Sequence, residues 1–125
     1  MDVTPDNCQI TREILTRVGD KWSVFIVASL GEGAKRFSEL KRAVGSISQR
    51  MLTLTLRGLE RDGLVKRTVY PTVPPSVEYE LTALGKTLLD PVNGLAAWAM
   101  RSKEAIFEAR RRYDEAAAQS GRSGP

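Results

Sequence analysis

The sequence predicts a mainly α-helical domain carrying one small β-hairpin, an α+β arrangement. Three observations predict it. Apolar residues recur at helical spacing from Cys8 to Leu59 and again from Leu84 to Trp98. The period shortens to two only between Leu64 and Leu81. Helical stretches open at capping side chains or close at glycines. A chain of 125 residues suits one domain, read here as 1–125, and can bury a core without metal or disulfide.

Met1 to Asn7 reads as a loose polar lead. Ile10, Ile14, Leu15 and Val18 then mark a first helix, capped by Asp6 or Asn7 and stopped by Gly19. Asp20 caps a second helix containing Trp22, Phe25, Ile26, Ala28 and Leu30, ended by Gly31 and Gly33. A short third helix spans Ser38 to Val44, with Phe37, Leu40 and Val44 inward, and Gly45-Ser46 is a turn. Ser48 caps a fourth helix that stops at Gly63. Its core face is Leu52, Leu56 and Leu59, and its other face carries Arg50, Thr53, Leu54, Arg57 and Arg61.

Residues 64–70 alternate as a strand, Pro71 to Pro75 form a turn-rich tip, and Val77 to Leu81 pair back, giving a hairpin over about 64–81. Thr82 caps a long helix running to about residue 118, with Leu84, Leu88, Leu89, Val92, Leu95 and Trp98 apolar. Pro91 and Gly94 are the expected points of bending or interruption, and residues 119–125 read as a flexible tail.

Composition excludes several functions. There is no histidine, which removes Ser-His-Asp and Cys-His catalysis and any His-ligated metal site. The single cysteine, Cys8, rules out an intrachain disulfide or a four-cysteine zinc site. Neither a phosphate-cradling glycine loop nor a metal cluster is present, so no enzymatic activity and no cofactor are expected. The most apolar run, Val24 to Leu30, falls far short of the about 18–20 residues that span a bilayer. No export signal or membrane anchor is read, and a lone thiol fits a reducing cytoplasm.

The element order is helix, helix, short helix, turn, capped helix, hairpin, long helix. A helix-turn-helix followed at once by a hairpin is the winged-helix arrangement, whose second helix can enter a major groove while the hairpin reaches the adjacent groove or backbone. Charge is placed accordingly. The whole chain carries +4, yet Lys35 to Arg67 holds nine basic residues against three acids, a local +6, leaving −2 elsewhere. A basic segment of this kind is the electrostatic footprint of phosphate binding.

The runs Val18-Gly-Asp-Lys-Trp22, Arg36-Phe-Ser-Glu-Leu40, Ile47-Ser-Gln-Arg-Met-Leu-Thr53 and Leu56-Arg-Gly-Leu-Glu-Arg-Asp-Gly-Leu-Val65 resemble the HxlR family of bacterial transcriptional regulators. So do Tyr70-Pro, Val73-Pro-Pro75, Val77-Glu-Tyr-Glu-Leu-Thr82, Leu84-Gly85 and Trp98. The resemblance spans residues 8 to about 98. It implies a homodimeric winged-helix regulator related to the MarR group, a repressor by default, acting in the bacterial cytoplasm at the nucleoid. N- and C-terminal helices would form the dimer interface.

Double-stranded operator DNA is the expected partner. The assigned contact residues are Arg36, Ser48, Gln49, Arg50, Thr53, Leu54, Arg57, Lys66, Arg67 and Ser76. Ser48 can cap and also donate to phosphate, Gln49 can read adenine, and Arg50 can read guanine or grip phosphate. Leu54 stands where family members often have a polar residue; it either packs on a thymine methyl or turns to a helical neighbour. Ser76 stands where members often carry a cation near the wing tip, which leaves Lys66 and Arg67 at the wing base as the expected phosphate contacts.

The expected dimer interface comprises Ile10, Ile14, Leu88, Val92, Leu95 and Trp98, and the competing reading of the later stripe is monomer core. Trp22 reads as core rather than as a ligand-stacking ring. Cys8 matches a cysteine with which several family members sense quinones, disulfide stress or hypochlorite. A helix N-terminus and Arg12 one turn on favour a thiolate there, and Asp6 opposes it. The plain alternative is a small apolar residue. A thiol-reactive or non-covalent small-molecule effector at the dimer seam stays open, as does use of the winged helix only for protein docking.

Overall fold

Asp20 lays down the first fixed corner of the fold. Its Oδ2 accepts hydrogen bonds from the backbone N–H groups of Trp22 and Ser23 at 3.1 and 3.3 Å, satisfying donors that a helix start leaves unpaired. In the computed structural model, which describes residues 5–121, the chain runs α1 (Pro5–Gly19), α2 (Lys21–Leu30), β1 (Lys35–Arg36), α3 (Phe37–Val44) and α4 (Gln49–Arg61). It continues as β2 (Val65–Tyr70), β3 (Ser76–Leu81), α5 (Ala83–Lys86) and α6 (Leu89–Gln119). The side chains of residues 5–7, most of the expected lead and the end of the expected tail lie outside the described residues.

The same capping chemistry recurs where the sequence places it. Ser48 Oγ accepts from Met51 N–H at 3.0 Å, and Thr82 Oγ1 accepts from Gly85 N–H at 3.0 Å. Between α3 and α4 the chain turns at Gly45, whose φ of +88° is costly for any residue with a Cβ. α2, α3 and α4 surround one buried cluster: Ile26, Val27 and Leu30, then Leu40 and Ile47, then Leu52, Leu56 and Leu59. Full burial of each such side chain stabilises by about 1.5–3 kcal/mol. Trp22 packs against this cluster, as expected of a core ring, whereas Phe25 is exposed.

The sheet has three antiparallel strands in the order β1-β3-β2. β2 and β3 pair from Val65↔Leu81 to Tyr70↔Ser76, and β1 adds to the free edge of β3 through Lys35↔Tyr79 and Arg36↔Glu78. Val65, Tyr79 and Leu81 face the core. This is the predicted winged helix-turn-helix with one strand more than the hairpin alone.

Three boundaries differ from expectation. α1 begins at Pro5, so Asp6 and Asn7 lie inside its first turn rather than at its cap; proline is favoured at a first helical position because its missing N–H would be unpaired there anyway. The long C-terminal helix is divided after Lys86, where Thr87 and Leu88 donate to Leu84 and Gly85 in tight turns. α6 then restarts, with Pro91 tolerated in its first turn, and passes through Gly94 without interruption.

The chain divides into two compact units, one through Val92 and one from Asn93. The second consists of the body of α6. One of its faces carries the apolar residues Leu95, Trp98, Ile106 and Tyr113 at helical spacing, with Leu95 and Trp98 56% and 50% exposed. Another face is charged. There Arg111 bonds Glu108 and Glu115, and its guanidinium holds the Glu108 carboxyl below the usual range, while Glu108 in turn raises Arg111. Among the described residues, no helix is long and apolar enough to cross a membrane.

Candidate nucleic-acid interface

The chemistry-bearing surface is built on α4. Leu52, Leu56 and Leu59 anchor one side of that helix in the core, which fixes its rotation. Periodicity then sends Gln49, Arg50, Thr53, Leu54 and Arg57 outward, where they line a shallow concavity of about 500 Å³. Leu54 is 47% exposed; it lines this concavity and also the cleft where α4 approaches its helical neighbour α1. The Thr53 hydroxyl donates to the Gln49 carbonyl at 2.9 Å, which occupies its proton. The Ser48 oxygen is occupied as an acceptor by Met51 N–H, leaving its own proton free to be donated to a phosphate.

Strand register sorts the cations of the wing. Side chains of directly paired residues lie on one face of a sheet. Arg67 pairs with buried Tyr79 and therefore points to the helix-facing side. There it joins Thr53, Arg57 and Glu60 around a cleft of about 300 Å³. Lys66 pairs with Glu80 and points the other way; its Nζ lies 3.8 Å from Glu80 Oε1. Ser76 and Arg36 share that outer side, both lining an open cleft with Tyr70, Val73 and Glu78.

The expected contact residues are thus divided. Gln49, Arg50, Thr53, Leu54, Arg57 and Arg67 line two clefts that share Thr53 and Arg57, with Ser48 one residue ahead of Gln49 at the start of α4. Arg36, Lys66 and Ser76 belong to the outer face of the sheet, and Lys66 has an acidic partner. Arg61, read with the outer face of α4, instead lines a cleft with Arg17 and Asp62 on the side toward α1.

The expected interface residues divide too. Ile10, Ile14, Leu95 and Trp98 are at least half exposed. Leu88 packs partly against the core, and Val92, at 6% exposure, belongs to the protomer's own core, so it offers nothing to a partner. Cys8 is half-buried in the first turns of α1.

Two features escape sequence reading. β1 is two residues long, too short for any periodic signal. The ion pair between Arg17 and Asp62 joins residues 45 positions apart, and only a charge pattern matched across two helices would hint at it.

Comparison with known proteins identifies the family. Residues 17–107 match the HxlR-like helix-turn-helix family. The HTH-type transcriptional regulator YtfH of Escherichia coli K12 is 47% identical over 88 residues, 70% of each chain. Among solved structures, the transcriptional regulator ytfH from Salmonella typhimurium is 42% identical, with a TM-score of 0.77 over 81% of this chain and 90% of that one. The redox regulator HypR in its oxidized form is 45% identical, with a TM-score of 0.69 over 73% and 94%. Diamide-treated YodB from Bacillus subtilis is 32% identical, with a TM-score of 0.65 over 81% and 96%. With the match covering most of the chain, and relatives that are regulators rather than enzymes, this protein belongs to the HxlR-like helix-turn-helix family of transcriptional regulators.

Proposed function

We propose that the protein is a homodimeric, sequence-specific repressor that binds operator DNA in the cytoplasm through α4 and Arg67. The observation that carries this reading is the outward face of α4. It is a surface of Gln49, Arg50, Thr53, Leu54 and Arg57 with no buried role, held rigidly by a leucine face behind it. A docking-only surface has no need of such cations. Dimerisation uses the exposed apolar residues Ile10 and Ile14 of α1 and Leu95 and Trp98 of α6. Two-fold pairing would present two α4 helices to half-sites roughly 34–36 Å apart.

Selection of bound duplexes from a random pool tests the reading. The wild type should enrich one sequence with two-fold symmetry. Arg50→Ala should lose about ten- to a hundredfold in affinity for it while remaining a folded dimer, because Arg50 is exposed. Full affinity in Arg50→Ala would refute the assignment of α4.

The signal sensed is assigned to Cys8. Support comes from two similar proteins: HypR is a redox regulator, and YodB is known in a diamide-treated form. Two Cys8 thiols, one per protomer, can condense to a disulfide, giving two electrons and two protons to an oxidant such as diamide. Operator binding with and without diamide, in wild type and Cys8→Ser, checks this; equal responses in both proteins would remove Cys8 from the mechanism. A non-covalent effector is the second reading, favoured by an open cleft of about 510 Å³ beside Ile14 and Leu88.

A further inference from the structure

The α1–α4 junction is built unlike the rest of the winged unit. On its core side α4 is held by apolar packing, through Leu52, Leu56 and Leu59. α1, by contrast, packs chiefly on α2. Where α1 approaches α4, two open clefts remain, one of about 370 Å³ beside Met51 and Leu54 and one of about 510 Å³ beside Val18 and Leu64. Arg17 lines both. It is a strut crossing a junction that side chains otherwise leave unfilled.

Its two attachments are specific. Nε donates to Asp62 Oδ2 at 3.0 Å, at the C-cap of α4. The guanidinium lies against Gly58 of α4, where an added methyl group would overlap it. A planar guanidinium can rest on backbone while donating from its edge, which an ammonium cannot. Met51, Gly58 and Asp62 recur at helical spacing, on the flank between the core face and the outward face of α4. The strut therefore reaches α4 on its flank and meets the outward face only at Leu54, at the edge of the smaller cleft.

We propose that Arg17 is a positioning residue for DNA recognition: it fixes α4 relative to α1, and so sets the separation of the two α4 helices in the dimer. This rests on the homodimeric DNA-binding reading above. Both side chains of the ion pair are about one-third exposed, at 36% and 37%, so the link is modest in strength, and its loss should cost about fivefold in the quantity it controls.

The test uses the duplex selected by the wild type, resynthesised with one or two base pairs added between its half-sites. The readout is the ratio of affinities for native and altered spacing. Arg17→Gln should lower that ratio about fivefold. Gly58→Ala should lower it comparably without lowering the melting temperature, because the displaced atoms are the end of a flexible side chain and alanine favours helix over glycine. The double variant should lose no more than either single one, since both act on one strut. A merely structural role would weaken all duplexes together and leave the ratio at its wild-type value. That result in both single variants overturns the proposal while leaving DNA binding intact. A wild type that selects no duplex at all overturns both.

Discussion

Removing Arg67 or Lys66 takes the same charge from neighbouring positions on one strand, yet register predicts different consequences. Arg67 stands with Thr53 and Arg57 on the helix-facing side of the sheet. Lys66 stands on the other side, 3.8 Å from a carboxylate oxygen of Glu80. A cation that neutralises one phosphate contributes about 0.9 to the slope of log affinity against log salt. Between about 50 and 200 mM salt, a fourfold change, that slope amounts to a factor of about 3.5 in affinity. In Arg67→Ala the loss of affinity across this range should therefore be about 3.5-fold smaller than in wild type. In Lys66→Ala it should match wild type, because the lysine faces away from α4 and is already countered. Fluorescence anisotropy on the selected duplex at several salt concentrations measures both slopes. A slope reduced equally in the two variants would refute the division of the wing into two faces.

Two further predictions concern stability and assembly. Gly85→Ala places a methyl group against the backbone carbonyl of Leu64, which cannot swing aside as a side chain can. α5 and the turn at Leu64 ahead of β2 must separate, so urea denaturation should show a loss of about 1–3 kcal/mol, and a wild-type midpoint would show the contact to be slack. Trp98→Glu puts a charge on the exposed apolar stripe of α6 without disturbing the core cluster, of which Trp98 is no part. Sedimentation should then show monomer at protein concentrations where wild type is dimer, with unchanged helix content; a persistent dimer would place the seam elsewhere.

What could be read from sequence follows from the range of each interaction. Asp20, Ser48 and Thr82 are legible as caps because side chain and backbone partner lie within three residues. The two faces of α4 are legible because leucines spaced by four and three fix its rotation. The helix break is local too, but Pro91 points to the wrong residue. A proline is tolerated in a first helical turn, so the interruption falls ahead of it, at Thr87 and Leu88. Grouping Lys66 with Arg67 overlooked the period of the strand, which sends neighbours to opposite faces. β1 was beyond reach for another reason. Two residues carry no period, and the edge they complete belongs to a strand far along the chain. Arg17 and Asp62 meet through packing of whole helices, which no single-helix pattern encodes.

The free hydrogen-bonding groups on α4 also bear on the proposed dimer. Thr53 ties its hydroxyl to Gln49 and Ser48 caps its own helix, so on the proposed reading, with Arg57 given to phosphate at the wing cleft, Gln49 and Arg50 would read base edges with two bonds. Exposed Leu54 would add apolar contact of the kind a thymine methyl offers. Arg57 and Arg67, which line one cleft at the wing, would take phosphate. Each two-bond base contact discriminates by about 1–3 kcal/mol, so one protomer reaches about 2–6 kcal/mol. Specific sites are favoured over non-specific DNA by about 4–10 kcal/mol. One protomer reaches only the lower part of that range, and two acting together, at about 4–12 kcal/mol, cover it. Under the proposed function, the exposed apolar residues of α1 and α6 would supply the means of pairing, and the sparse base-reading chemistry of α4 the reason for it.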